Sequence, residues 1–356
     1  MVSIATTLTN IIISILQIII LYFTNDFILY LSVKIICQMI MNFILTKIAD
    51  KIYPYLKEKD IAELDESDKT TILRNIKAMM MNRIGGIVVN GTASIFITNF
   101  ASLIAAGLYS NYSMITNAIS GVINQFFSAF TSSIGNLAAL SDKTKLKETY
   151  DTINFLGYWL SGFCSICLLC LLNPFIELWI GEKYVLDFNI VVIIVMVFYI
   201  NSIRRPNLIM HDSLGLYWHF KYKPIFESVL NIVSSIILGT YFGLIGILSA
   251  NIVSTLITCF WVEPYFLYKY GFSCSSKTYF YDFFKYSCAI FVISILCLVI
   301  SNLFDRGGFV DFIFKISSCI IIPNVIFIIL YRNKKEFKSL IITMLSLFKI
   351  NKKIVD

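Results

Sequence analysis

The chain has 356 residues, of which 58% are hydrophobic and 14% charged, and carries a formal net charge of +7. Soluble domains need about a quarter charged residues to cover their surfaces, so this composition and a mean hydropathy of +0.78 exclude a set of soluble domains and indicate a polytopic membrane protein. The positive balance does not indicate a nucleic-acid partner, because no compact basic domain is present and the Lys and Arg residues fall between apolar spans.

About 20 helical residues rising 1.5 Å each match the roughly 30 Å hydrocarbon core of a bilayer. On that measure the fold class is all-α, a polytopic membrane helix bundle of about ten transmembrane helices, at roughly 4–24, 27–48, 78–101, 104–139, 152–173, 188–205, 222–241, 243–267, 284–303 and 309–331. The start Met1-Val2-Ser3-Ile4-Ala5 has no basic region and no small-residue cleavage site, so the first span serves as its own insertion signal. The longest hydrophilic segment, 49–76, contains Glu58-Lys59-Asp60 and Asp65-Glu66-Ser67-Asp68 and reads as a solvated linker.

The two spans after that linker carry polar side chains at membrane depth. Gly86, Asn90, Ser94 and Thr98 recur every four residues and so share one helix face. Ser110, Asn117, Gly121, Asn124, Ser128, Thr131 and Gly135 recur at intervals of three and four, with Gln125 adjoining them. Such stripes have two readings: close helix packing through small residues, or the wall of a wet cavity.

Further along, Asn173-Pro174-Phe175-Ile176-Glu177-Leu178-Trp179 reads as an outside loop, with Pro to end a helix and Trp for the interface. Cys164, Cys167 and Cys170 imitate a metal spacing but lie on an apolar helix without His or acid, so no metal and no cofactor is expected. His211 beside Asp212 is a candidate for proton coupling, since imidazole titrates near neutrality; the plainer reading is a solvated interfacial residue. Glu227, Asn231 and Ser234 share a face one turn inside the membrane edge, where Glu227 reaches headgroup water or contributes to gating. Gly246, Ala250, Ser254 and Thr258 form a small-residue packing stripe. The span 284–303 is apolar nearly all round and reads as peripheral, and the basic tail with the amphipathic 337–350 suits an anionic leaflet. One side of the membrane collects the Lys and Arg residues of 47–77, 143–147, 204–223, 269–277 and 332–338, and the other only Lys183 and Arg306, which places both termini in the cytoplasm.

With these residues in hand, the chain resembles the Wzx-type polysaccharide or O-antigen flippases of the MATE-like (MOP) superfamily. The resemblance runs from about residue 1 to 331 and rests on Gly85-Gly86, Asn90-Gly91-Thr92, Gly107-Leu108-Tyr109-Ser110-Asn111-Tyr112, Asn173 to Gly181, Leu214-Gly215-Leu216, Tyr222-Lys223-Pro224 and Trp261-Val262-Glu263-Pro264. Family members have two six-helix lobes around a central polar cavity, often followed by two further helices. The resemblance therefore implies two helices of an N-terminal lobe in 1–48, a cytoplasmic linker in 49–76, a six-helix C-terminal lobe in 77–270, and two extra helices with a basic tail in 271–356. It implies that 78–101 and 104–139 line the cavity and that about four N-terminal helices of the family pattern are absent. Close relatives carry Asp after Asn-Gly-Thr where this chain has Ala93, a departure that bears on ion coupling.

The activity implied is alternating access without covalent chemistry, so the chain is not an enzyme. The substrate implied is a lipid-linked oligosaccharide on undecaprenyl diphosphate in the bacterial plasma membrane, with the lipid bilayer, a polysaccharide polymerase and other export proteins as partners. Arg83, Asn90, Ser94, Thr98, Asn117, Asn124 and Gln125 are the cavity candidates: amides and hydroxyls for sugars, and Arg83 for a forked contact to diphosphate or, equally, as a positive-inside anchor. Glu227, His211 and Asp212 are the candidates for coupling or gating. Two rivals stand beside this reading. A membrane polymerase needs catalytic groups in a sizeable outside loop, and the longest here is 173–188; the other rival is a non-transporting fragment or assembly partner.

Overall fold

The computed structural model describes residues 2–57, 65–139, 142–303 and 308–342. The acidic Glu58-Lys59-Asp60, Arg306 and the stretch beyond 342 that was expected to lie on the leaflet fall outside the described residues. Among those described, every regular element is a helix. Among the described residues, six segments are long and apolar enough to cross a membrane: Phe27–Ile52, Lys143–Ile180, Phe188–Leu214, Lys223–Phe272, Lys277–Ser301 and Gly308–Tyr331. The protein is an α-helical membrane protein, divided into two compact units, Met1–Lys69 and Thr70–Asp356.

The first unit is a helical hairpin of α1 (Val2–Thr24) and α2 (Phe27–Ile52). Asn25 makes the turn in the left-handed region (φ 50°), which an Asn side chain tolerates better than most. Asp26 then caps α2, its carboxylate accepting from the N–H groups of Ile28 and Leu29 at 2.8 and 3.3 Å. No residue of α2 is buried, and Ile35, Ile36, Met39, Ile40 and Phe43 are all exposed. A helix that is apolar all round and uncovered suits hydrocarbon rather than water.

The second unit is built on α6 (Lys143–Ile180). One side of this helix, with Ile153, Leu168, Leu172 and Ile176, packs into a core with Tyr112, Ile123 and Phe127 of α4 (Leu103–Ser128) and with Val191, Ile194 and Phe198 of α7 (Phe188–Ile203). Its other side, with Phe155, Tyr158 and Ile166, meets Tyr286, Ile290 and Ile293 of α11 (Lys277–Leu303) and Phe327 of α12 (Gly308–Tyr331). The helix read as peripheral thus buries one face on α6, while Phe284, Phe291, Val292 and Ile295 stay exposed.

Two boundaries differ from the sequence reading. The span 104–139 is two helices, α4 and α5 (Thr131–Ala139), separated by a turn at Ala129-Phe130. Pro174 does not end α6, which runs on to Ile180 and stops at Gly181 (φ 105°). Proline removes one helical N–H, and here tertiary bonds hold the neighbouring Asn173: its Oδ1 accepts from Tyr112 Oη at 2.6 Å and its Nδ2 donates to Leu186 O at 3.0 Å. Tyr112 Oη also accepts from Leu186 N at 2.9 Å, so the fully buried Tyr112 ties α4 to α6 and to the end of the 181–187 connection that leads into α7. Tyr112→Phe therefore leaves the half-buried Asn173 Oδ1 and the buried Leu186 N–H without their partner. We expect a loss of about 1–3 kcal/mol, read as a lowered unfolding midpoint in detergent.

The break expected between 222–241 and 243–267 is present: α9 (Lys223–Ile257) doubles back on itself at Gly243 (φ 55°, ψ −129°). A Cβ on Gly246 would collide with the carbonyl of Leu238, so the two arms touch backbone to backbone. Asn231 Nδ2 donates to Ser254 Oγ at 3.3 Å across the same pair of arms. The small residues Gly246, Ala250 and Ser254 are buried in this contact. Past Ile257 the second arm continues through α10 (Cys259–Phe266) and a π-helical turn, Leu267–Phe272.

Candidate functional site

The polar stripes lie on α3 (Glu66–Phe100) and α4. On α3 the buried residues are Ala78, Gly85, Val89 and Ile97. Gly85 allows close approach to the start of α9: a Cβ there would sit 2.6 Å from the Pro224 Cβ, and Ser228 Oγ donates to Gly85 O at 3.3 Å. Arg83, Gly86, Ser94 and Thr98 are exposed on the other side of the helix. Asn90 belongs to that face by spacing, and its side chain lies outside the described residues.

On α4, Tyr112, Thr116, Ile123 and Phe127 face the core. Ser110, Asn117, Gly121, Gln125 and Ser128 are exposed, and Asn124 is half-buried. The Asn124 Oδ1 has no partner among the described residues. Hydroxyls on these faces turn back to their own helix, Thr98 Oγ1 to Ser94 O at 3.0 Å and Ser110 Oγ to Gly107 O at 2.6 Å. Both helices therefore turn their polar faces away from the core of their unit. The amides of Asn117 and Gln125 and the Arg83 guanidinium are suited to sugar hydroxyls and to an oxyanion, respectively.

A second cluster is buried where α7, α8 (Arg205–Leu214), α9 and α10 converge. Glu263 is fully buried and takes a forked contact from Arg204, Nε to Oε2 at 3.0 Å and Nη2 to Oε1 at 2.6 Å. Lys223 Nζ donates to the same Oε1 at 2.7 Å. Glu227 completes the group, 3.8 Å from Arg204 Nη1 and 3.7 Å from Lys223 Nζ, so two cations face two carboxylates. Arg204 also donates to Asn201 Oδ1 at 3.2 Å. A carboxylate held by two cations is a lock on helix ends rather than a free base.

The gating candidates separate around this cluster. Glu227 belongs to it, with its side chain only 14% exposed rather than in headgroup water. His211 is not the solvated residue that its neighbour Asp212 suggested: it is buried, its Nε2 lies 2.9 Å from the Glu263 carbonyl, and its ring packs edge-on to Phe220. Asp212 is exposed and lies near Tyr217, in the 215–222 connection. Burial, reinforced by the Asp212 charge, raises the Tyr217 hydroxyl well above its ordinary range and keeps it a donor.

No protein-family model, curated protein or solved structure matches the chain. Sequence reasoning took Arg204 and Lys223 as topology markers and named Glu263 only within the Trp261-Val262-Glu263-Pro264 motif, giving it no role. The available signal was an acid inside the apolar stretch 243–267, since an ionisable group at membrane depth requires a partner.

Proposed function

We propose that the chain moves an undecaprenyl-diphosphate-linked oligosaccharide across the bacterial plasma membrane by alternating access, like the flippases it resembles, with α3 and α4 along the substrate path. One observation carries this reading: on α3 and α4 the polar Arg83, Ser94, Thr98, Asn117 and Gln125 are exposed on faces turned from the core of the unit, beside exposed apolar residues such as Ile84, Ile87, Ile95 and Val122. An unsatisfied polar group in hydrocarbon costs several kcal/mol, so such faces belong against a wet path or a polar partner. The distribution of Lys and Arg supports a topology with both termini cytoplasmic. The reversal at Gly243 supports two crossings within 223–272, in line with about ten crossings overall. No covalent step is involved, and the buried Arg204–Glu263–Lys223 cluster serves to hold helix ends at one side of the unit.

The test is glycan export in a strain lacking its own flippase, with the full chain supplied. Asn117→Leu combined with Gln125→Leu keeps α4 apolar and foldable, and is expected to reduce export at least tenfold at equal protein level. Arg83→Lys keeps the charge and removes the planar fork, with an expected several-fold loss. Full export by both variants would remove α3 and α4 from the path.

A further inference from the structure

The interior of α6 carries a second polar stripe that the transport path does not use. Asn154, Ser161 and Ser165 are 5%, 0% and 5% exposed, and their side-chain oxygens have no partner among the described residues. Their spacing puts them on one face. Helix serines elsewhere in the chain return the hydroxyl to the carbonyl four residues earlier, as Ser14, Ser294 and Ser317 do at 2.7–2.9 Å. Ser161 and Ser165 do not, so their hydroxyls aim off the helix.

The surroundings of the stripe are defined by two close contacts. On one side of it Gly157 abuts Pro206 of α8, and on the other Gly162 abuts Ile290 of α11, so the stripe faces the seam between those helices. At its lower end the buried Tyr150 donates to Asn207 Oδ1, and Asn207 Nδ2 donates to Tyr279 Oη at 3.1 Å. The half-exposed Lys147–Asp151 ion pair lies next to this end. From Tyr150 to Ser165 the stripe runs about 22 Å at the helical rise. Beyond it the same face turns apolar, with Leu168, Leu172 and Ile176 buried.

We propose that this seam holds a file of bound water, entering beside Lys147 and Asp151, bonding to Asn154, Ser161 and Ser165, and ending blind at Leu168. Buried polar groups are almost always hydrogen-bonded, and bound water takes the place of a missing protein partner where the site is polar. Three such oxygens lie on one face, with the Tyr150–Asn207–Tyr279 chain at its lower end, and each offers an anchor to bound water.

The test uses the purified full chain in nanodiscs. In a dry seam, Ser161→Ala or Ser165→Ala removes an unsatisfied hydroxyl and raises the unfolding midpoint. In a hydrated seam the same change strands a bound water and lowers it, by about 2–4 °C. Radiolytic footprinting, in which bound water generates the radical in place, reads the seam without a mutation. Tyr158 borders the stripe and is 1% exposed, and Tyr112 is 0% exposed and bonded to protein. Several-fold stronger labelling of Tyr158 than of Tyr112 is expected. An unchanged or raised midpoint in both serine variants, or equal labelling of the two tyrosines, overturns the proposal.

Discussion

Glu263→Gln is expected to destabilise the second unit by about 3–5 kcal/mol, the range for removing one partner of a buried ion pair. Glutamine keeps the shape of the side chain but brings an NH2 group against donors. Arg204 and Lys223, whose side chains are 12% and 3% exposed, then share only Glu227, at 3.7–3.8 Å. Desolvated positive charge is left uncompensated, which is where the cost arises. Replacing Arg204, Lys223, Glu227 and Glu263 together by Met, Met, Leu and Leu removes the charges as a set and is expected to recover most of the loss. By contrast, Glu66→Gln breaks the exposed Lys69–Glu66 pair and leaves the midpoint unmoved. Unfolding in detergent, followed for the single, quadruple and control variants, decides the matter. A change below about 1 kcal/mol for Glu263→Gln would mean that the cluster is not desolvated as the geometry indicates.

Helical class and most spans were legible because apolar runs and their breaks are local properties of the chain. Gly243 separated two expected spans, 222–241 and 243–267, and the chain reverses there. What local pattern could not carry was the pairing of distant residues. Pro174 reads as a helix end until Tyr112, far away in the chain, holds Asn173. His211 reads as interfacial until α10 places the Glu263 carbonyl beside it. Motifs quoted separately from the sequence meet in pairs: Gly85 with Pro224, Tyr112 with Asn173, and Lys223 with Glu263. Each supplies what the other lacks: space for a proline ring, an acceptor for a phenol, a counter-charge. The α3 and α4 stripes were legible as faces. Their direction, away from the core, depends on which residues the unit chose to bury, and spacing alone does not determine that.

The second large effect falls at Gly246. A Cβ there meets the Leu238 carbonyl oxygen and carbon and the Gly239 nitrogen, all backbone atoms that cannot swing aside as a side-chain tip can. Gly246→Ala must therefore part the two arms of α9, at a cost of at least the 1–3 kcal/mol typical of overpacking. The movement reaches further, because the arms also carry the Asn231–Ser254 bond and bring Lys223 to Glu263. Stability and the buried ion cluster should fail together, so Gly246→Ala combined with Glu263→Gln is expected to cost less than the sum of the two changes. Gly121→Ala supplies the contrast: a Cβ there meets nothing within 4 Å, and a helical Gly→Ala change in open space is expected to gain about 0.5–1 kcal/mol. Unfolding midpoints for the two glycine variants in the same detergent should move in opposite directions. If Gly246→Ala unfolds at the midpoint of the unaltered chain, the arms are not in backbone contact and the reversal at Gly243 is looser than the close approach requires.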